Sequence, residues 1–208
     1  MAQEQTMASP RLPDAAAIAR TVEALRARNI HVIVANTREE ARHALIQLLP
    51  EGAEICDSTS ETLDAIGFTA FVRGNPRYTN LHDAYAAEPD LAKRNDLRRR
   101  ASIADYFIGS VQAIAETGEV FVASATGSQL APYAFAAKHV IWVVGVQKIA
   151  PTFDAAMQRV RGPTLARHDQ WLADMGRAPT PIGKLGIIEH ESQAGRITLI
   201  LVKEQLGW

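Results

Sequence analysis

The residues best suited to chemistry stand where short apolar segments are interrupted. Glu116 occupies a turn with Thr117 and Gly118, between two such segments. A glutamate has no structural advantage over Asn or Asp at a turn, so we predict a functional role for it, as a general base or as a nucleophile. The open alternative is a carboxylate that stabilises a hairpin turn by accepting backbone N–H bonds.

Two later interruptions supply hydroxyl groups and a cation. Gly127 and Ser128 end an apolar run, and Gln147 and Lys148 follow a continuous apolar strand at 140–144. Ligands of open α/β sheets bind just past the carboxyl ends of parallel strands, so we predict that Lys148 contacts an anionic group. A strand-end lysine that extends into water is the alternative.

A further polar cluster comes earlier in the chain. Ser58, Thr59 and Ser60 follow a predicted strand at 53–56 and precede a short helix. Their hydroxyls and the free backbone N–H groups are suited to a phosphate or a carboxylate. Helix capping by serine needs no ligand and is the alternative. The negative charge of the adjacent Asp57 disfavours anion binding.

The sequence around these residues resembles the LUD domain, the family of lactate-utilisation protein C. The match covers about residues 14–208. It rests on E-T-G at 116–118, G-S at 127–128, H-V-I-W-V-V-G-V-Q-K-I-A-P at 139–151 and S-x-T-L-x-x-I-G at 60–67. The segment G-R-I-T-L-I-L-V at 195–202 resembles a terminal strand found in one branch of the family.

The resemblance implies a fold similar to ribose-5-phosphate isomerase and the coenzyme A transferases, and a link to lactate or hydroxy-acid utilisation. Glu116 loosely matches the nucleophilic glutamate in the S-E-N-G turn of those transferases. Many relatives carry glycines where Cys56 and Asp57 stand here.

From the residue patterns and the resemblance together, we predict that Glu116 and Lys148 are catalytic residues. The predicted ligand-binding residues are Ser58, Thr59, Ser60, Thr62, Thr117, Gly118, Gly127, Ser128 and Gln147.

Composition sets limits on location and partners. The chain has 208 residues, 47% of them hydrophobic, and a net charge of -1, so no global field attracts nucleic acid or an anionic membrane. The basic run at 93–100 is predicted to be solvated surface. No apolar run approaches the roughly 20 residues that cross a bilayer, and the first residues lack a signal-peptide pattern. We expect a cytoplasmic protein with a flexible tail at 1–12 and a single domain at 13–208.

No metal and no cofactor are predicted. Cys56 is the only cysteine, and the six histidines show no H-x-x-x-H or H-E-x-x-H spacing. Some relatives carry a cysteine-rich segment before the last strand, but residues 180–195 contain no cysteine. We therefore expect neither an iron–sulfur cluster nor a structural metal.

Short apolar runs that alternate with helical patterns predict an α/β domain with a largely parallel sheet and helices on both faces. One short hairpin is predicted around residues 116–118. Parallel strands are predicted at 30–35, 53–56, 105–109 and 140–144, with further strands at 120–123 and 197–202.

Helix boundaries follow from capping residues and prolines. Asp14 and Thr37 are predicted to cap the first two helices. The polar segment 83–103 is predicted to be helical with a break near Pro89. Residues 161–186 are rich in proline and glycine and are predicted to be irregular, either as a lid or as an ordered excursion that covers a sheet edge.

Two functions remain open. The first is the binding of a small anionic carboxylate or phosphate in hydroxy-acid utilisation, with or without catalysis. The second is a non-catalytic assembly or regulatory subunit whose loops dock a lactate-utilisation partner, such as an iron–sulfur protein of a lactate-oxidising complex. A ligand-shaped pocket where the loops converge favours the first, and a flat apolar patch favours the second. The oligomeric state is open.

Overall fold

The computed structural model describes residues 12–208. A six-stranded parallel sheet lies at the centre of the fold. The order across this sheet is β1-β10-β7-β4-β2-β3, and every neighbouring pair is parallel. The predicted α/β class is therefore confirmed. The predicted tail lies outside the described residues, apart from Leu12. The strands are β1 (His31–Ala35), β2 (Glu54–Asp57), β3 (Thr79–Asn80), β4 (Tyr106–Gly109), β7 (His139–Gly145) and β10 (Ile197–Val202).

A second, four-stranded sheet has the order β8-β5-β6-β9. Its central pair, β5 and β6, is antiparallel and forms the predicted hairpin around residues 116–118. The outer strand β9 pairs antiparallel with β6, whereas β8 pairs parallel with β5. These strands are β5 (Ala113–Ala115), β6 (Val120–Ser124), β8 (Ile149–Ala150) and β9 (Lys184–Ile188).

The helices begin where local capping dictates. The Asp14 side chain accepts a hydrogen bond from the backbone N–H of Ala17, and that of Thr37 accepts one from Glu40. The polar segment around Pro89 is divided into two helices, as predicted. The helices are α1 (Ala15–Ala27), α2 (Arg38–Gln47), α3 (Glu61–Ala65), α4 (Phe68–Val72), α5 (Leu81–Ala86), α6 (Leu91–Arg100), α7 (Phe153–Arg159) and α8 (Leu165–Asp174).

The parallel sheet is buried on both faces because alternate residues of its central strand enter different cores. Trp142 packs with Leu25 of α1 and with Ile114 and Val122 of the second sheet. On the opposite face, Val143 and its neighbours pack against α2, α3 and α4. Burial on both faces explains why the central strands are continuous apolar runs. One face is thus covered by a helix together with the second sheet, rather than by helices alone.

The prediction of an irregular segment at 161–186 was wrong for most of its length. The helix α8 occupies its first half, and β9 begins at Lys184. Proline and glycine are concentrated in the connection between these elements, which contains Pro179 and Pro181. Within residues 12–208, no helix is long and apolar enough to cross a membrane.

Candidate cleft at the carboxyl edge of the parallel sheet

Three polar side chains meet where adjacent parallel strands end. The strands β2, β4 and β7 are neighbours, and Ser58, Ser110 and Lys148 follow their carboxyl ends. The backbone N–H of Ser58 donates to the carbonyl of Ile108 at 2.8 Å, which holds the loop after β2 against the end of β4. A cleft of about 410 Å³ opens at this edge and is lined by all three residues. This edge is the usual ligand position in open α/β sheets.

Lys148 lies at the base of the cleft and is only 2% exposed. Its Nζ donates to Thr62 Oγ1 and to Ser110 Oγ, each at 3.0 Å. An ammonium group has three N–H donors. Among the described residues, no acceptor takes the third donor and no carboxylate forms an ion pair with Lys148. A buried ammonium without an anionic partner therefore faces the cleft.

The surroundings of Lys148 favour its neutral form. Burial, with a further contribution from the Arg159 guanidinium, lowers the pKa of the Lys148 ammonium to about 7, although Glu61 acts in the opposite direction. Arg159 is fixed nearby because its Nε donates to the carbonyl of Gln112 at 3.1 Å. The amine is consequently poised between its two protonation states near neutral pH.

Ser58 contributes a buried hydroxyl with no hydrogen-bond partner in the described part of the chain. The nearby Tyr133 hydroxyl donates instead to the carbonyl of Ser110 at 3.2 Å. Gly109 lies beneath both hydroxyls, and a Cβ atom at this position would overlap them. The glycine thus permits the close approach that places Ser58 at the cleft.

We expect Gly109→Ala to lower the free energy of unfolding by about 1–3 kcal/mol, because the added methyl group must displace Tyr133 and Ser58. Urea denaturation measures this change. Gly162→Ala is the matched control, since no atom lies within 4 Å of a Cβ at that glycine. Equal stability of the Gly109→Ala variant and the wild type would show that the cleft does not depend on this close packing.

The outer walls carry cations and aromatic rings. Arg98 on α6 donates to Ser128 Oγ at 2.9 Å and lies at the mouth. On the opposite wall, His168 of α8 interacts with Thr180 Oγ1 at 3.2 Å and stacks on Trp171. Trp208 also lines this wall. The segment at 161–186 therefore closes one side of the cleft.

Comparison with known proteins identifies the family. The model of the LUD domain matches residues 18–207. The chain belongs to the LUD domain family. This family is associated with lactate utilisation in general, and the resemblance seen in the sequence is confirmed. No curated protein matches the chain.

The fold of this LUD domain is similar to that of a solved DUF162 family protein from Deinococcus radiodurans. The two are 15% identical with a TM-score of 0.54, over 92% of this chain and 99% of the other. At that identity the likeness shows the fold alone. A second match is eIF2B delta from Chaetomium thermophilum, which is 13% identical over 69% of this chain and 53% of the other. Its TM-score of 0.26 is too low to support an inference about this chain.

Within the LUD domain, the structure brings about half of the predicted site residues to the cleft. These share positions after β2, after β6 or after β7, at the mouth or base of the cleft. They are Ser58, Thr59, Ser60, Thr62, Ser128 and Lys148. Ser60 also caps α3 by accepting from the backbone N–H of Leu63, so the capping alternative holds for that hydroxyl.

The structure does not bring Glu116 to Lys148. Its carboxylate accepts two hydrogen bonds from Arg20 of α1, at 3.1 and 2.7 Å, and it does not line the cleft. Its backbone N–H donates to the carbonyl of Ala150, so the turn is fixed beside β8. The physical reason is the second sheet, which directs this hairpin turn towards α1. Glu116 is therefore separate from the residues that line the cleft.

Four other predicted residues do not line the cleft and contact other parts of the fold. The Thr117 carbonyl accepts from Arg28 at 2.9 Å, and Gly118, with φ of 98°, packs against the same arginine. Gly127, with φ of 90°, packs against Lys184. The buried Gln147 donates from Nε2 to the carbonyls of residues 206 and 207, at 2.8 and 3.2 Å. It thereby holds the segment that leads to the cleft wall.

Several polar residues of the cleft were absent from the predicted set, among them Ser110 and Arg98. Ser110 directly follows the predicted strand at 105–109. Ligands of open α/β sheets bind just past the carboxyl ends of parallel strands, and this strand-end rule, which selected Lys148, would also have selected Ser110. Arg98 was assigned to a solvated basic surface. It is exposed, but it stands at the mouth because α6 packs beside the loop that contains Ser128.

Proposed function

We propose that the cleft of this LUD domain binds a small molecule bearing a carboxylate or phosphate group, in the utilisation of lactate or a related hydroxy acid. Lys148 carries this proposal. A buried ammonium without an anionic partner costs several kcal/mol of desolvation, and the two hydroxyls that contact it offset only part of that. A bound anion supplies the missing partner.

The hydroxyl groups support a ligand that is itself hydroxylated. Ser58, Thr62 and Ser110 each offer a hydroxyl that donates or accepts according to its partner. Ser58 Oγ is buried and unpaired among the described residues, so it is available to a ligand hydroxyl or carboxylate. The cations Arg98 and Arg177, which line the outer cleft, attract an anion towards Lys148.

The shape of the site favours ligand binding over partner docking. A concave cleft of about 410 Å³ is in the range of small-molecule sites, which span roughly 300–1,000 Å³. The convergence of Ser58, Ser128 and Lys148 in a cleft is the arrangement that distinguishes the first of the two functions inferred from the sequence. The similarity of the fold to that of the coenzyme A transferases stays a prediction.

A thermal-shift screen tests the proposal. The probes are L-lactate, pyruvate, inorganic phosphate, sugar phosphates and coenzyme A esters, applied to the full chain. A ligand present at about a hundred times its Kd raises the free energy of unfolding by about 2.7 kcal/mol. For a chain of this length we expect the Tm to rise by roughly 5–10 °C. Absence of a shift with every anion would contradict an anion site in the cleft.

A further inference from the structure

Lys148 has the surroundings of a lysine that reacts covalently with carbonyl compounds. We propose that Lys148 forms a reversible imine with a small carbonyl compound that carries an anionic group, such as a 2-oxo carboxylate. This proposal rests on the anion site proposed above. The ligand would then be held by a covalent bond at the base of the cleft.

The position of Lys148 is unlike that of every other lysine. The remaining four, Lys93, Lys138, Lys184 and Lys203, are exposed, and only Lys148 is buried at the end of a cleft. An exposed ammonium is well hydrated and stays charged, so it has no free lone pair at neutral pH. Burial removes that hydration and makes the neutral amine accessible.

A second cation next to Lys148 acts in the same direction. The Arg159 guanidinium disfavours the charged form of the amine, and no described carboxylate pairs with Lys148 to restore it. Desolvation and a neighbouring cation are the two devices by which proteins activate a lysine for imine formation. A lysine placed only to stabilise the fold would be expected to have an acidic partner.

The step balances with groups that line the cleft. The neutral Nζ attacks the carbonyl carbon, a C–N bond forms, and the C=O π electrons move to the oxygen, which takes up the proton that the nitrogen gives up. The carbinolamine hydroxyl then takes up a second proton and leaves as water, while the nitrogen lone pair closes the C=N bond, and the iminium nitrogen returns a proton to give the neutral imine. The hydroxyls of Thr62 and Ser110 contact Nζ and can relay these protons. No oxidant or reductant is consumed.

A proton source and cations that attract the ligand are also present. Glu61 lines the cleft, and burial raises the pKa of its carboxyl above the usual value, so it holds a proton more readily than an exposed glutamate. Arg98 and Arg177 line the outer cleft, where their positive charges attract an anionic carbonyl compound towards Lys148. A hydroxy acid such as lactate lacks the carbonyl and would bind without a covalent bond.

Reductive trapping tests the imine in the wild-type protein. The full chain is incubated at pH 7.5 with pyruvate and sodium cyanoborohydride, digested, and mapped by mass spectrometry. We expect one adduct, of the mass of pyruvate less one oxygen atom, on the peptide that contains Lys148. Labelling there should exceed that of each exposed lysine by about tenfold or more, because lysines with a pKa near 10.4 are almost wholly protonated at this pH.

Parallel samples separate this proposal from the anion site. Lys148→Arg keeps a cation but cannot form the imine, and Lys203→Met removes an exposed lysine as the matched control. L-lactate in place of pyruvate should leave no adduct. Saturable pyruvate or phosphate binding without an adduct at Lys148, or labelling spread evenly over the exposed lysines, would overturn the imine and leave the anion site standing. Absence of binding by every anion would overturn both.

Discussion

Lys148→Met should weaken anion binding by about tenfold to a hundredfold, because a hydrogen bond assisted by a buried charge contributes about 1.5–3 kcal/mol. Methionine is close to lysine in length and is apolar, so the base of the cleft stays filled. The affinity of the wild type and the variant for the best anion of the thermal-shift screen is measured by isothermal titration calorimetry.

Lys203→Met is the matched control for this measurement. Lys203 follows β10 at the same edge of the parallel sheet, but it is exposed, and its side-chain Nζ donates only to Asn36 Oδ1, at 3.2 Å. We expect its loss to leave the affinity unchanged. If Lys148→Met instead lowers the Tm and leaves ligand-induced stabilisation intact, Lys148 has a structural role and the anion site is elsewhere.

The pH dependence of stability should differ between the wild type and Lys148→Met. Burial and Arg159 lower the pKa of Lys148 from 10.5 to about 7 in the folded protein. Between these two values, the unfolded chain binds a proton that the folded protein does not, so the free energy of unfolding rises with pH. Below pH 7 both states are protonated, and the wild type bears the full cost of a buried ammonium.

We therefore expect the wild type to gain stability over Lys148→Met as the pH increases from 7 to 9, at about 1.4 kcal/mol per pH unit at most. Urea denaturation at pH 6, 7, 8 and 9 measures the difference. Burial also raises the pKa of the Cys56 thiol from 9.0 to about 12, which acts in the opposite direction above pH 9, but both proteins contain Cys56. Parallel stability curves would contradict the assignment of a shifted lysine.

The parallel sheet and its first helices could be predicted because the sequence patterns that indicate them, apolar runs and capping residues, are local. The largely apolar run at 197–202 coincides with β10, since a strand covered on both faces is apolar at nearly every position. Asp14 and Thr37 were identified as caps because a cap depends only on residues within one helical turn. These features need no knowledge of the distant chain.

The outer strands of the second sheet were not predictable in the same way, because they are defined by distant partners. The strand β9 forms by pairing with β6, some sixty residues earlier, and its own sequence includes Gly186. A Cβ at Gly186 would press against the Leu130 side chain, so this glycine permits close packing within a strand. In the sequence it indicated a loop.

The same limit applies to the candidate site. Lys148 and Ser58 were identified because the strand-end rule depends on the parallel sheet, whose order is regular. Glu116 was grouped with them because its turn also follows a strand. That strand belongs to the second sheet, and its turn meets Arg20 of α1 instead of the cleft. A local pattern cannot distinguish the two sheets.

Titration of Lys148 itself tests the anion site most directly. Lysine labelled with carbon-13 at Cε reports each amine by nuclear magnetic resonance, and the signal absent from Lys148→Met identifies Lys148. The account predicts a titration midpoint near pH 7 in the free protein, from the pKa of about 7, and a higher midpoint when inorganic phosphate or L-lactate, neither of which can form an imine, saturates the cleft. A midpoint that resembles those of the exposed lysines, or one that neither anion moves, would contradict it.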